Sequence, residues 1–216
     1  GISANDDNAA TVVLNVTGEA DVMLGDLEID DDDVDALIVN HTGTGVLSFE
    51  LDGGHVDEDD AITVNGGAGT TIARISDELD LSDDNIGGVD QLVLEEDAVL
   101  TLDIAQLIAI DYANISVIKE NGDPADDTDP ADNADLHIVG FGSTDTFDAT
   151  QLDVNINVLS ITLEPGDGVL DPSVDLTGVG QIIVQEGGSI TLTADQFQQL
   201  ADEGTIVGID AGGNAS

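Results

Sequence analysis

The chain has 216 residues, and its 47 Asp and Glu residues face only two basic residues, Arg74 and Lys119, which gives a formal net charge of −45. Phosphate contacts from Lys and Arg dominate nucleic-acid affinity, so nucleic acids and anionic membrane surfaces are excluded as direct partners unless cations bridge the contact. No apolar run approaches the ~18 residues that span a bilayer, so we expect no direct membrane insertion. Carboxylates in this excess repel one another in the compact state, so we expect concentrated salt or a divalent cation to neutralise them.

The apolar composition predicts a folded chain in spite of this charge. High net charge with low hydrophobicity is typical of disorder, but 41% of the residues are hydrophobic and the mean hydropathy is +0.08. Aromatic residues make up only 2% of the chain, and cysteine is absent. The sequence therefore predicts thin, repetitive layers of Val, Ile and Leu, without disulfides or thiolate metal sites.

Short apolar runs typical of β-strands recur at nearly constant intervals along the chain. They start near Val12, Leu37, Ile62, Leu92, Ile115, Ile138, Ile161, Ile183 and Ile206, and consecutive starts are 25, 25, 30, 23, 23, 23, 22 and 23 residues apart. A turn rich in Gly or acidic residues usually follows each run, as at 42–45 and 165–168. A second alternating run comes next, as at 46–51 and 189–192. This period favours stacked coils.

A longer repeat contains this shorter one. Residues 89–107 resemble residues 179–197, ninety positions later, with Val, Gln, Glu, Thr, Leu and a second Gln recurring in place. Several units close with a pattern typical of a capping box, in which a Ser, Thr or Asp caps a helical turn and Glu or Gln reaches back. We expect one helical turn, with its Leu or Phe pointing inward, at 76–79, 103–107, 148–152 and 193–197.

These patterns predict an all-β fold, a β-solenoid of about eight to nine coils of about 22–25 residues with short helical turns closing some coils. The alternative is a β-sandwich. We expect an N-terminal arm at 1–10, a single solenoid domain at 11–210 with an acidic loop insertion at 119–135, and a C-terminal tail at 211–216. Neither end carries an obvious cap, so unpaired strand edges invite a homo-oligomer through the open ends. Open ends also fit a fragment of a longer chain.

The segments at 100–107 and 189–197 resemble the degenerate repeats of bacterial surface-layer proteins and calcium-dependent secreted adhesins. That resemblance implies a β-solenoid, export without cysteines, calcium-dependent folding, and assembly into surface lattices or filaments. The chain departs from the family pattern in one respect. Its segment Gly66-Gly67-Ala68-Gly69-Thr70-Thr71 has the glycines of the calcium-binding nonapeptide but lacks the Asp.

Clusters of acidic residues mark candidate calcium sites, because calcium takes six to eight oxygen ligands from carboxylates and carbonyls on tight loops. A loop with two prolines supplies one candidate set, and a run of four Asp residues supplies a second. Both could equally be solvated acidic loops. The candidate ligands are Asp123, Asp126, Asp127, Asp129 and Asp132, followed by Asp30, Asp31, Asp32 and Asp33.

The three histidines, His41, His55 and His137, lack the close spacing of a zinc site. His137 alternates with apolar neighbours, so we expect it on a solvent-exposed sheet face.

The sequence predicts no enzymatic activity, because nucleophile, P-loop and dinucleotide motifs are missing and carboxylate pairs arise by chance among 47 acids. We expect an extracellular, cell-surface structural protein that self-assembles into a filament or surface layer stabilised by calcium. A calcium-dependent adhesin stalk and a salt-adapted soluble protein of a halophile remain alternatives.

Overall fold

The computed structural model describes residues 10–27, 34–54, 56, 60–126, 129–165, 170–186 and 188–208. This part of the chain is mostly β-strand with two short α-helices. The strands are β1 (Ala10–Val16), β2 (Val22–Asp26), β3 (Val34–His41), β4 (Val46–Asp52), β5 (Ala61–Asn65), β6 (Thr70–Ser76), β7 (Glu78–Asp80), β8 (Gln91–Glu95), β9 (Val99–Asp103), β10 (Ile115–Ile118), β11 (Ala134–Phe141), β12 (Ile156–Leu163), β13 (Gln181–Val184) and β14 (Thr205–Gly208). The helices are α1 (Ile104–Ile110) and α2 (Ala194–Glu203), with 3₁₀ turns at Tyr112–Asn114, Pro130–Asp132 and Ala149–Gln151.

The strands form three sheets, and every pairing between these strands is parallel. Sheet 1 has the order β1-β3-β5, sheet 2 the order β10-β8-β6-β4-β2, and sheet 3 the order β14-β13-β12-β11-β9-β7. β-sandwiches are built from antiparallel strands. The parallel pairing of the described strands therefore argues against the sandwich alternative and agrees with an all-β fold of parallel sheets.

Register partners are separated by nearly constant steps along the chain. In sheet 1, Val12 is opposite Leu37 and Leu37 is opposite Ile62, so the two steps are equal. In sheet 2, Leu92 is opposite Ile115, a slightly shorter step. In these pairs an apolar residue stacks on the apolar residue one period later, and both bury the same kind of surface.

Sheet 3 follows the same rule with one longer step. Ile138 is opposite Ile161, and Ile182 is opposite Ile206, which are steps similar to those of the other two sheets. The step from Leu100 in β9 to Leu136 in β11 is longer, because α1, β10 and the acidic loop lie between them. The longer connection keeps both leucines in the same stacked row.

The predicted strand starts agree with this register in most places. The pairs Val12–Leu37, Leu37–Ile62, Leu92–Ile115 and Ile138–Ile161 are direct partners, and the last two steps are displaced by one residue. Two predicted steps are wrong, because Ile62 lies in sheet 1 but Leu92 in sheet 2, and Ile115 lies in sheet 2 but Ile138 in sheet 3. The spacing of the apolar runs predicts where strands occur along the chain, but it does not predict which sheet each strand joins.

Alternation within the strands divides the core from the surface. In β4, β6 and β8 every second side chain is buried and the others are partly exposed. The buried set is almost entirely Val, Ile and Leu, with Phe49, Phe141 and Phe147 as its largest members. The carboxylates in these strands lie on the opposite, outer face. Because successive side chains of a strand point to opposite faces, the acidic residues are on the surface and the apolar residues are in the core.

Glycine allows the turns at 18–20 and 43–45 to stack closely. A Cβ atom at Gly43 would lie 2.5 Å from the carbonyl oxygen of Gly18, and one at Gly45 would lie 2.5 Å from that of Ala20. The backbone hydrogen bond from Thr44 N–H to Gly18 O, 2.8 Å long, joins the two turns. Larger residues at 43 and 45 would push the turns apart.

Three of the four predicted helical turns are confirmed. Asp103 and Thr193 cap α1 and α2 with complete capping boxes, and Asp148 caps the 3₁₀ turn at Ala149–Gln151. The prediction at 76–79 is wrong, because residues 78–80 form β7. There Leu79 is buried and stacks opposite Leu100. Exposed Glu78 and buried Leu79 alternate with the two-residue period of a strand. At these residues the strand period predicts the structure better than the capping-box pattern does.

Candidate assembly edges and the acidic loop

The edge strands β1 and β2, which we call the N-terminal edge, carry inward-facing apolar residues that are only partly buried. Val12, Leu14 and Val16 in β1 pack against the core without being covered, as do Val22 and Leu24 in β2. Their register partners in β3 are almost fully covered: Leu37 is 3% exposed and Val39 0%. The inward-facing apolar row of the core therefore extends into β1 and β2, where its side chains are partly exposed.

The edge formed by β14 and α2, which we call the C-terminal edge, has the same property. Ile206 stacks on the fully buried Ile182 but is itself 44% exposed, and Phe197 of α2 is 61% exposed. Between them lies an open groove of about 500 Å³. The part of the chain that the structure describes places no charged side chain in this groove, which is formed by Ile190, Leu192, Thr193, Ala194, Phe197 and Ile206.

The exposure of Phe197 contradicts the expectation that it points into the core. Its counterpart ninety residues earlier, Leu107 of α1, is 0% exposed. Helix α1 packs against both β9 and β11, whereas no described strand packs against α2 to that extent. The prediction for Phe197 is wrong: α1 buries both Leu107 and Ile110, whereas α2 buries Leu200, the counterpart of Ile110, and leaves Phe197 exposed.

Two glutamines, Gln106 and Gln196, join the helical turns to the preceding turns of the chain. The side-chain oxygen of Gln106 accepts a hydrogen bond from Asp103 N–H (2.8 Å), and its Nε2 donates to the carbonyl oxygens of Leu81 (2.6 Å) and Asp84 (2.7 Å). The sequence pattern predicted the first bond as part of the capping box but not the other two. Both Nε2 hydrogens are used, so glutamate could not replace this residue without losing them.

The acidic loop places four of the predicted calcium ligands near one another along the chain, but each makes local hydrogen bonds. Asp132 accepts from Asp126 N–H (2.8 Å), Asp129 caps the 3₁₀ turn through Ala131 N–H (3.1 Å), and Asp123 accepts from the Asn121 side chain (3.2 Å). These bonds shape the loop. Asp127 and Asp30–Asp33 lie outside the described residues, so their assignment stays a prediction.

Lys119 supplies a positive charge to this loop. Its Nζ lies 2.6 Å from Oδ2 of the nearly buried Asp132. The hydrogen bond from Lys119 holds the pKa of Asp132 below its ordinary value, and the same bond raises the pKa of Lys119. Asp126 and Glu96 raise the pKa of Lys119 further. An ammonium group therefore sits where several carboxylates converge.

No three Asp, Glu or His side chains lie close enough to hold a metal ion within the described ranges. The second basic residue, Arg74, projects from the outer face of sheet 2, and its Nη2 lies 3.3 Å from Glu95 Oε1. Burial and the neighbouring Glu50 raise the pKa of Glu95, and Arg74 partly opposes that rise. Both basic side chains are therefore committed to ion pairs within the chain.

The histidines occupy different environments. His41 points into the core, is 1% exposed, and shares a 2.9 Å hydrogen bond between Nδ1 and Thr71 Oγ1. His137 lies on the outer face of β11, as its alternation with Leu136 predicted, but it is half-buried and bonds Ser160 Oγ through Nδ1 (2.7 Å). His55 lies outside the described residues.

A row of asparagines on the outer face of sheet 1 was not predicted. Asn40 Nδ2 donates to Asn15 Oδ1 (3.0 Å), and Asn65 Nδ2 donates to Asn40 Oδ1 (2.9 Å). The equal spacing of the three asparagines, which matches the register step of this sheet, was the available signal. The row ties three strands together from outside the core.

No protein-family model, curated protein or solved structure matches this chain. The described helices include none with the length and apolar character needed to cross a membrane.

Proposed function

We propose that the chain is a β-solenoid, a stack of coils that each contribute strands to the parallel sheets. Support comes from the register steps, most of which are similar in length, and from the equivalent hydrogen bonds of units ninety residues apart. In such a stack each coil contacts only its neighbours, so stability is a sum of local terms, and end coils without a polar cap expose apolar surface.

On this fold we propose a non-enzymatic, extracellular structural role in which copies assemble into a filament or surface layer. The observation that carries the proposal is the uncovered apolar row at both edges of the described core: Leu14 at one edge and Ile206 at the other. A soluble chain that works alone gains nothing from two such edges, whereas a chain that joins its copies end to end into a filament uses both.

The cation requirement follows from the charge. Two molecules of net charge −45 repel each other unless counterions accumulate between them, and divalent ions do this most efficiently at low concentration. Calcium suits carboxylate and carbonyl oxygens. We propose the acidic loop with Asp123, Asp126, Asp127, Asp129 and Asp132 as its first binding region and the Asp30–Asp33 run as the second.

Two other roles share the same fold. As an adhesin stalk, the chain would be a rigid spacer in a longer protein, and the uncovered edges would join further coils of that protein. As a salt-adapted soluble protein, it would need salt and no particular divalent ion. The local hydrogen bonds of Asp123, Asp129 and Asp132 favour this last reading, because each carboxylate already has a role in shaping its loop.

A chelator titration tests the calcium role. Folding is followed by circular dichroism at moderate salt while EDTA is added to the calcium-loaded protein. Loss of β-structure on chelation, reversed by calcium but not by an equal ionic strength of NaCl, supports the proposal. Folding that withstands chelation at moderate salt refutes the calcium role, and rescue by NaCl or KCl alone assigns the acidity to salt adaptation.

A further inference from the structure

We infer that the groove at the C-terminal edge receives the N-terminal edge of a second copy of this chain, so that copies join head to tail with one polarity. The inference rests on the proposed self-assembly and specifies its interface. The groove supplies Leu192, Phe197 and Ile206, and the incoming edge supplies Val12, Leu14 and Val16.

The repeat shows what kind of surface belongs on the groove. Leu107 of α1 corresponds to Phe197 of α2, and it is fully buried where β11 packs against α1. The inward-facing residues of β11 include Leu136 and Ile138, which alternate with polar residues. The missing cover for Phe197 is therefore a strand with alternating aliphatic side chains.

The N-terminal edge has this chemistry. Val12, Leu14 and Val16 alternate along β1 and face inward, as Leu136 and Ile138 do in β11. All three are only partly buried, although their partners in β3 are covered. The C-terminal edge therefore has no strand with alternating aliphatic side chains over Phe197, and β1 of the N-terminal edge is such a strand. In turn, the apolar groove at the C-terminal edge can cover Val12, Leu14 and Val16.

Charge favours the same pairing. Carboxylates crowd the surface of a molecule with a net charge of −45, so two copies repel each other over most approaches. Among the described residues, the groove lining and the inward-facing row of β1 carry no charge. Contact between the groove and the β1 row buries apolar area, and salt or calcium then screens the surrounding carboxylates, which include Asp26 at the end of β2.

Contact between two unlike surfaces is heterologous, and unlike a two-fold contact it leaves each dimer with one free edge of each kind. Assembly therefore continues in one direction and produces a polar filament. A pairing of two identical edges would instead stop at a dimer. This difference makes the inference testable with two variants.

Phe197→Asp disables the groove and Leu14→Asp disables the opposite edge. Val154→Asp is the matched control, because Val154 is 65% exposed and lies away from both edges. Sedimentation velocity is measured in millimolar calcium, under which the wild-type protein assembles. Each edge variant alone should weaken association at least about 30-fold, as expected for a buried anchor residue, and the control should behave as wild type.

Mixing the two edge variants gives the decisive result. An equimolar mixture should form dimers and nothing larger, because one intact groove meets one intact N-terminal edge. Dimers of Leu14→Asp alone would overturn the inference in favour of groove-to-groove contact, and dimers of Phe197→Asp alone would overturn it in favour of contact between N-terminal edges.

The cysteine-free chain allows a second test that avoids a buried charge: Leu14→Cys and Phe197→Cys, mixed and treated with a short bismaleimide, should cross-link only to each other.

The outcomes separate the interface from the proposed function. If both Asp variants assemble as the wild type does, the interface is wrong while self-assembly stands. If the wild-type protein stays monomeric in calcium and in high salt, self-assembly itself fails. If removal of residues 209–216 converts a monomer into an assembling species, the groove is filled by the chain's own C-terminal segment and the inference is overturned.

Discussion

Gln106 and Gln196 lie ninety residues apart and make the same three side-chain hydrogen bonds to residues at the same sequence distances. Gln106 Nε2 donates to the carbonyls of Leu81 and Asp84, 25 and 22 residues earlier, and Gln196 Nε2 donates to those of Asp171 and Val174, again 25 and 22 residues earlier. Each Oε1 accepts from the backbone N–H three residues before it. The ninety-residue repeat is therefore a repeat of contacts as well as of sequence.

Replacing these glutamines with glutamate should destabilise the fold. Gln106→Glu and Gln196→Glu keep the size and the oxygen acceptor but lose both donors, and they place a carboxylate against two carbonyl oxygens. We expect each to lower the free energy of unfolding by about 1–3 kcal/mol, measured by urea denaturation at fixed salt.

Gln91→Glu adds the same charge at an exposed position and serves as the control. The defect at 106 and 196 should shrink as the pH falls towards 4, because a protonated carboxyl regains one donor. Equal effects at all three positions would mean that charge alone, and not the lost donors, explains the change.

The asparagine row predicts a graded loss of stability. Asn40→Ala removes two hydrogen bonds, one to Asn15 and one from Asn65, whereas Asn15→Ala removes one. With about 1 kcal/mol for each bond, Asn40→Ala should cost about twice as much as Asn15→Ala in urea denaturation. Similar costs for the two substitutions would show that the bonds in the row do not contribute separately.

The pH dependence of stability should have its maximum on the acid side of neutrality. Burial raises the pKa of Asp84 and of Glu95, so their protonation favours the folded state, and stability should rise as the pH falls from 7 through their raised pKa values. Hydrogen bonds lower the pKa of Asp132, Asp148 and Asp171, so their contribution is lost only below the unfolded value of about 3.9. The maximum should therefore lie below neutrality and above the ordinary aspartate pKa of about 3.9.

Glu95→Gln isolates one part of this profile. Because it removes a carboxylate that favours protonation in the folded state, it should stabilise the protein at pH 7 and reduce the slope of stability on the alkaline side of the ordinary glutamate pKa. Glu19→Gln removes the same charge from an exposed turn and is the control for the change in net charge. A profile that Glu95→Gln leaves unaltered would contradict the assignment.

Lys119 should compete with divalent cations at the acidic loop. Lys119→Met removes the ammonium group from beside Asp132, and the neighbouring Asp126 and Glu96 lose its compensating charge. Calcium affinity, measured by isothermal titration calorimetry, should increase by up to about tenfold, because a competing positive charge is removed from the loop.

Arg74→Met is the matched control, because it removes the other basic side chain from the outer face of sheet 2. Its effect on calcium affinity should be much smaller. If both substitutions raise the affinity equally, calcium responds to net charge and the acidic loop has no special role.

The sequence predicted the strand period well, because stacked parallel strands place residues of the same type one above the other. Val12, Leu37 and Ile62 are evenly spaced in the sequence, and the register of sheet 1 has the same spacing. The steps that failed, from Ile62 to Leu92 and from Ile115 to Ile138, cross between sheets. The spacing of the apolar runs shows how many strand-like segments the sequence contains. The sheet that each segment joins depends on the lengths of the turns, which the apolar pattern does not encode.

The features at the edges and in the loop were harder to predict, because they depend on what lies beside a residue in space. Phe197 has the sequence context of the buried Leu107, yet its exposure is set by the absence of a described strand beside α2 comparable to β11. Asp129 and Asp132 fit a metal-binding pattern as well as they fit turn caps. Local hydrogen bonds and ion coordination use the same oxygen atoms, so composition alone does not separate them.

Electron microscopy of the purified chain tests the central claim, that copies stack end to end along the axis of the coils once cations screen their charge. In millimolar calcium we expect unbranched polar filaments whose β-strands lie across the axis, with a repeat of about 4.8 Å along it. Dispersed rods of uniform length, or filaments whose strands run along the axis, would contradict the account.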